Sequence, residues 1–345
     1  MQKAVCLGET MAVLSPPPGE SLRYTHELRY GIGGAESNVA LGLAALGIPS
    51  SWISRVGNDS FGRRILDSLG SQGVEVAAVQ LDPERQTGVY VKASSKNPGD
   101  SELLYYRAGS AASAMSGEFL EDRAVAQRLD EAGLIHFSGI TAALSPSCLE
   151  LCHRLLARPR RDQLISFDLN WRPALWRDGD PTVLRTLANL ADIVLLGADE
   201  ALLAFGTRDE AELRALLPTP GTLVIKNDAH TAISLRRADK TQPEDTAPRE
   251  EVAALTVEIA EPIGAGDSFA AGYLSGVLLG LDERSCLRRG HLAAACTLTV
   301  HADRGQLPEE SALAVLLGCT EEEWNATTVT EERIDSPVLD GGYLR

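Results

Sequence analysis

Residues 134–170 read LIHFSGITAALSPSCLELCHRLLARPRRDQLISFDLN: an apolar run, an amphipathic stretch and a second apolar run. LIHFSGI (134–140) and LISFDLN (164–170) have the length and composition of buried strands, and SPSCLELCHRLLARP between them carries apolar residues at helical spacing. The same alternation continues on both sides. Ala4–Leu7, ADIVLLG (191–197) and TLVIKN (222–227) read as strands, and DPTVLRTLANLA (180–191) as a helix. Alternating strands and helices predict an α/β fold with a mostly parallel central sheet flanked by helices on both faces. Ligands on such sheets bind at the carboxyl ends of the strands.

One region departs from this pattern. TGVYVKASSKNPGDSELLYYRAG (87–109) alternates polar and apolar residues around an Asn-Pro-Gly-Asp turn, which predicts a β-hairpin. Along its second arm Leu103, Tyr105 and Arg107 share one face, while Leu104 and Tyr106 share the other. The expected organisation is a core of 1–12, 31–86 and 108–318, with a small β lid of 13–30 and 87–107. The acidic, poorly periodic 319–345 is expected to wrap the surface or to be partly disordered.

The 345 residues carry a formal net charge of −16, which disfavours nucleic acid and anionic lipid as partners. No apolar run approaches the roughly 20 residues of a membrane span. The N-terminal stretch is weakly apolar and interrupted by Glu9, so a cytoplasmic protein is expected. Its six cysteines are scattered, and Cys148-x-x-x-Cys152 lacks the second pair of a zinc site. An exposed lid sheet predicts pairing into a homodimer.

EPIGAGDSFAAGYLSGVLLG (261–280) carries the chemistry. It lacks the Gly-Lys-Ser/Thr ending of a Walker loop, and Phe269 stands where a dinucleotide fingerprint has its third glycine. What remains is a helix N-terminus used as an anion hole. Amides near 264–267 have no intrahelical partners, and the helix dipole favours negative charge there. Gly264, Ala265 and Gly266 leave those amides bare. Asp267 in the first turn is expected to stay ionised beside the helix dipole and to accept a proton from an attacking hydroxyl. Such a site suits phosphoryl transfer, whose catalysis is mostly positioning and charge stabilisation. Ser268, Gly272, Gly276 and Gly280 form a flat ridge, expected to pack on Leu292–Cys296. Near the N-terminus, YGIGGAESNVALGLAALG (30–47) places Gly33 and Gly34, open to a ligand, before a helix whose first turn carries Asn38.

GGAESNVALGLAALG and IGAGDSFAAGYLSG together resemble the two glycine-rich signatures of the ribokinase-like (PfkB) carbohydrate kinase family, in order and spacing over about residues 3–318. The resemblance implies a central α/β domain with a β lid, Asp267 as the catalytic base, and Gly264, Ala265 and Gly266 as the hole for the γ-phosphate. It implies ATP with Mg²⁺ as phosphoryl donor and admits a monovalent cation. LLYYRAGSAAS (103–113), FDLNWRPALW (167–176) and TVHADRGQLP (299–308) are most similar to kinases that phosphorylate the C6 hydroxyl of 2-keto-3-deoxygluconate. A sugar acid has a carboxylate, which Arg107 and Arg172 could clamp through bidentate bonds.

Carried over in the same way, Gly33, Gly34, Asn38, Tyr90, Tyr105, Arg107, Arg172, Asp267 and Asp303 would contact the sugar acid. Asn170, Arg172, Lys226 and Asp228 would line the nucleotide site, and Glu200 would reach magnesium through water. Three positions depart from the family's pattern. Asp228 and Thr231 replace both glycines of Lys-x-Gly-x-x-Gly, Gly197 replaces the asparagine of Asn-x-x-Glu, and Ile263 replaces a threonine. Two alternatives stay open: a fructokinase- or ribokinase-type sugar kinase, and a sugar-acid-binding protein with weak catalysis.

Overall fold

Side-chain alternation along the central strands builds two cores, one on each face of the sheet. In the computed structural model, which describes residues 2–17, 20–93, 102–176, 180–237, 248–300, 305–340 and 342–344, Val5, Leu7, Ile135, Phe137, Ile165 and Phe167 join one apolar cluster. Their neighbours Ala4, Cys6 and Leu134 join the other. Successive strand residues point to opposite faces, so a strand buried on both sides must be apolar at nearly every position.

The central sheet orders its strands Arg249–Ala253, Thr231–Arg236, Thr222–Asn227, Ile193–Gly197, Leu164–Asp168, Ala132–Ser138, Lys3–Leu7 and Ser50–Ile53. The last six are mutually parallel, and Thr231–Arg236 pairs antiparallel with both of its neighbours. Helices Arg123–Glu131, Pro146–Ala157 and Thr182–Ala188 cover one face. Ala35–Ala45, Ser60–Ser71, Ala265–Leu279 and Glu283–Leu298 cover the other. The boundaries follow local chemistry. Pro146 opens its helix while Ser145 Oγ accepts the Cys148 N–H at 3.1 Å. The run 134–140 stops being a strand at Ser138, whose hydroxyl caps a short helix Gly139–Ala143.

A second sheet orders Arg29–Gly33, Met11–Ser15, Val89–Ala93 and Glu102–Tyr106. Val89–Ala93 and Glu102–Tyr106 pair antiparallel as the hairpin reading requires, and the Asn-Pro-Gly-Asp turn lies outside the described residues.

Two expectations are corrected. The C-terminal stretch does not merely wrap the surface. It forms helix Glu321–Asn325 and strands Thr328–Val329, Arg333–Asp335 and Tyr343–Leu344, and these strands make a small sheet with Thr256–Val257. Trp324, Val329 and Ile334 are buried in the second core, and Trp324 Nε1 donates to the Ala253 carbonyl at 2.9 Å. The glycine ridge does pack on helix Glu283–Leu298, but mostly ahead of Leu292. A Cβ on Gly272 would lie 2.3 Å from the Arg289 carbonyl oxygen, and one on Gly276 2.8 Å from Cys286 Sγ. Gly280 is not part of the ridge: it ends the helix with φ +70°, a left-handed cap suited to glycine. Among the described residues, no helix is long and apolar enough to cross a membrane.

Candidate active site

The parallel strands end at one rim, and their carboxyl ends supply Glu9, Asp168, Asn170, Glu200 and Lys226 to a cavity of about 800 Å³. The second sheet closes it with Met11, Tyr90, Leu103, Tyr105 and Arg107. Gly264, Gly266 and Asp267 form part of its wall.

Gly264 has φ +84° as the residue before helix Ala265–Leu279, a conformation that favours glycine. The first intrahelical bond is Ser268 N–H to the Gly264 carbonyl at 2.9 Å, so the preceding amides are left for a ligand. Ala265 belongs to this turn without lining the cavity. A Cβ on Gly266 would sit 3.8 Å from Lys226 Nζ, which puts an ammonium beside the bare turn.

Asp267 Oδ2 accepts from Asn38 Nδ2 at 2.8 Å. The expectation that the helix dipole keeps this carboxyl fully ionised is corrected. Burial dominates and pushes its pKa up to about 7, against the lowering effect of the Asn38 hydrogen bond, with Asp168 adding repulsion. A carboxyl balanced near neutrality can take up a proton in the working pH range.

Gly33 and Gly34 line the cavity as expected, and a side chain has no room at either position. A Cβ on Gly33 would meet the Tyr90 hydroxyl at 2.4 Å, and one on Gly34 the Glu9 carbonyl oxygen at 2.3 Å. Tyr90 and Tyr105 face each other with ring centroids 5.6 Å apart.

The two arginines both reach the cavity, and each has a carboxylate partner. Arg107 Nη2 pairs with Glu9 Oε2, a carboxylate 1% exposed, whose other oxygen accepts from the Ser110 hydroxyl. Arg107 Nε is buried without a hydrogen-bond partner among the described residues. Arg172 is half exposed and lies 3.5 Å from Glu200 Oε1. Glu200 Oε2 accepts the Gly197 N–H at 3.0 Å, and burial raises its pKa. Lys92 of the second sheet pairs with Glu261 in the segment leading into Gly264.

Asn170 is buried with φ +40°, and its Oδ1 has no partner among the described residues. Asp228 has φ +45°, lies outside the cavity lining, and faces Asp199; burial and that neighbouring carboxyl raise its pKa. Asp303 lies outside the described residues.

Three carboxylates escaped sequence reasoning: Glu9, Asp168 and Glu36. Asp168 and Glu9 stand at or just past the end of an apolar strand, and that position was the signal available. Glu36 is fully buried, and its Oε1 accepts from Ser138 Oγ at 2.6 Å and Thr141 Oγ1 at 2.8 Å.

Residues 1–310 match the model of the pfkB family carbohydrate kinases. The chain belongs to the pfkB family of carbohydrate kinases. As a member it is a phosphotransferase that uses a sugar hydroxyl as acceptor. This pfkB kinase is 33% identical over 319 residues to the 2-dehydro-3-deoxygluconokinase of Bacillus subtilis (strain 168), covering 91% of this chain and 95% of that one. It is 32% identical over 314 residues to the enzyme of the same name from Thermoproteus tenax, covering 89% and 92%. A PfkB protein from Polaromonas sp. JS666 superposes with a TM-score of 0.74 at 28% identity, covering 94% of this chain and 100% of that one. The 2-dehydro-3-deoxygluconokinase from Thermotoga maritima shares the fold, with a TM-score of 0.76 at 24% identity and coverage of 92% and 100%.

Proposed function

We propose that this kinase transfers the γ-phosphoryl group of ATP to the C6 hydroxyl of 2-keto-3-deoxygluconate (2-dehydro-3-deoxygluconate). The observation that carries the substrate is Arg107, a guanidinium facing the same cavity as Asp267 from the opposing sheet, with Arg172 on its rim. A neutral sugar needs no such cations, and two relatives sharing about a third of the sequence are 2-dehydro-3-deoxygluconokinases by name. In this reading the second sheet is the lid, and its exposed Tyr106 supports pairing into a homodimer.

Asp267 takes the proton from the C6 hydroxyl as its oxygen attacks, while Asn38 holds the carboxylate in place. The amides after Gly264 and the Lys226 ammonium face the migrating phosphoryl group and balance its charge. Tyr90, Tyr105 and Leu103 give the sugar acid an apolar wall.

Magnesium fits the donors present. Asn170 Oδ1 is a buried acceptor without a partner among the described residues, and Glu200 lines the same cavity. No group of three or more acidic, histidine or cysteine side chains forms a metal cage among the described residues, which suits an ion that keeps waters and phosphate oxygens in its shell. When bound, it supplies neutralisation of phosphate charge. Asn170 and Glu200 would hold it, Glu200 through water.

An ADP-release assay across sugar acids and neutral sugars tests the reading. Turnover of 2-keto-3-deoxygluconate well above that of fructose and ribose is expected; preference for a neutral sugar overturns it. Since Asp267 must be unprotonated to act and titrates at about 7, kcat/KM should rise as pH increases through 7 and level off above it. A profile flat from about pH 5.5 to 8 would remove Asp267 as the base.

A further inference from the structure

We infer that Asp168 is a positioning residue for phosphoryl transfer, holding the Lys226 ammonium against the anion-hole turn; this rests on the kinase reading above. Asp168 ends the strand Leu164–Asp168, and its side chain is 4% exposed. Both of its oxygens accept from Lys226 Nζ, at 3.0 and 3.3 Å. Its Oδ1 also faces the Asn170 N–H at 3.3 Å, which pins the carboxylate from behind. Lys226 Nζ also stands near Gly266, where a Cβ would lie 3.8 Å away. The ammonium is therefore held by a fixed carboxylate and stands near the bare turn.

Other charged groups surround this lysine, but they are engaged elsewhere. Asp267 takes the Asn38 amide, and Glu200 takes the Gly197 N–H and faces Arg172. Among the described residues, the hydrogen bonds to Nζ run to Asp168. Burial works against the Lys226 charge, yet Asp168 and then Glu200 hold its pKa above the ordinary lysine value, so the group stays a cation. His136, buried nearby with its pKa lowered to about 4 by burial, stays neutral and does not compete for Asp168.

A lysine on a flexible four-carbon stem loses rotamer freedom when fixed. A charge fixed before the reaction needs no reorganisation during it. Asp168 provides that fixing, acting on the phosphoryl group through Lys226.

The test compares Asp168→Asn, Lys226→Met and the double variant. Two readouts are used: kcat with the keto acid, and calorimetric affinity for magnesium complexes of ADP and of the nonhydrolysable ATP analogue AMP-PNP. Lys226→Met is expected to lower kcat about 100-fold and Asp168→Asn about 10-fold. The double variant should be no worse than Lys226→Met, because the two residues act as one unit. Both single variants should weaken AMP-PNP about tenfold and leave ADP unchanged. Losses that multiply in the double variant, or equal weakening of ADP and AMP-PNP, overturn the inference. If Asp168→Asn does not fold, Lys226→Met and the double variant decide: equal kcat supports the inference, and a further drop overturns it. A wild-type enzyme that binds AMP-PNP but turns over no sugar acid would sink the substrate reading, and the affinity comparison would still decide the role of Asp168.

Discussion

Replacing Asp267 by asparagine is expected to lower kcat on the order of 10³-fold while leaving keto-acid and nucleotide affinities nearly unchanged. Asparagine keeps the shape of the side chain and can still accept the Asn38 hydrogen bond through its carbonyl oxygen. It cannot take the hydroxyl proton. The same variant should gain stability at alkaline pH. The wild-type carboxyl titrates at about 7 when folded, against about 3.9 in an unfolded chain. Between those values the folded state binds more protons, so wild-type stability falls as pH rises through the window. Asparagine carries no such cost, and the difference in Tm between variant and wild type should widen from pH 5 to pH 8. Thermal melts at several pH values, beside ADP-release kinetics, check both halves. Undiminished turnover would end the assignment of Asp267.

Arg107→Ala is expected to affect binding and folding at once. Losing the guanidinium should raise KM for the keto acid on the order of 100-fold if Arg107 grips the substrate carboxylate. It also strands Glu9, a carboxylate 1% exposed, and an uncompensated buried charge costs about 3–5 kcal/mol. The two effects separate in a double variant. Glu9→Gln combined with Arg107→Ala removes the stranded charge and should restore most of the lost Tm. It should not restore keto-acid affinity. If affinity returned along with stability, Arg107 would be a structural partner of Glu9 and the carboxylate clamp would fail.

The parallel sheet was legible because strands buried on both faces must be apolar almost throughout, and runs such as LISFDLN satisfy that alone. The bare turn of the candidate site was legible for a related reason: Gly264, Gly266 and Asp267 lie within one helical turn. The partners of these residues were not. Asn38 meets Asp267 across 229 positions and Asp168 meets Lys226 across 58, and no local period encodes such pairs. The ionisation of Asp267 was misjudged because the helix dipole is local and predictable, whereas burial depends on the assembled cavity. Nor could the sequence show that a side chain at Gly33 or Gly34 would run into Tyr90 or Glu9. In the C-terminal stretch, three consecutive glutamates at 321–323 masked Trp324, whose burial beneath Ala253 only the folded chain reveals.

Asp228 stands where the Lys-x-Gly-x-x-Gly pattern of the resemblance would put its first glycine, and its backbone takes the left-handed shape, with φ +45°. Aspartate is among the few other residues that tolerate this region, at a cost of about 1 kcal/mol. An aspartate in this left-handed corner places a second acid next to Asp199. Since glycine takes the same left-handed shape without strain, the charge at this corner can be removed without redrawing the loop.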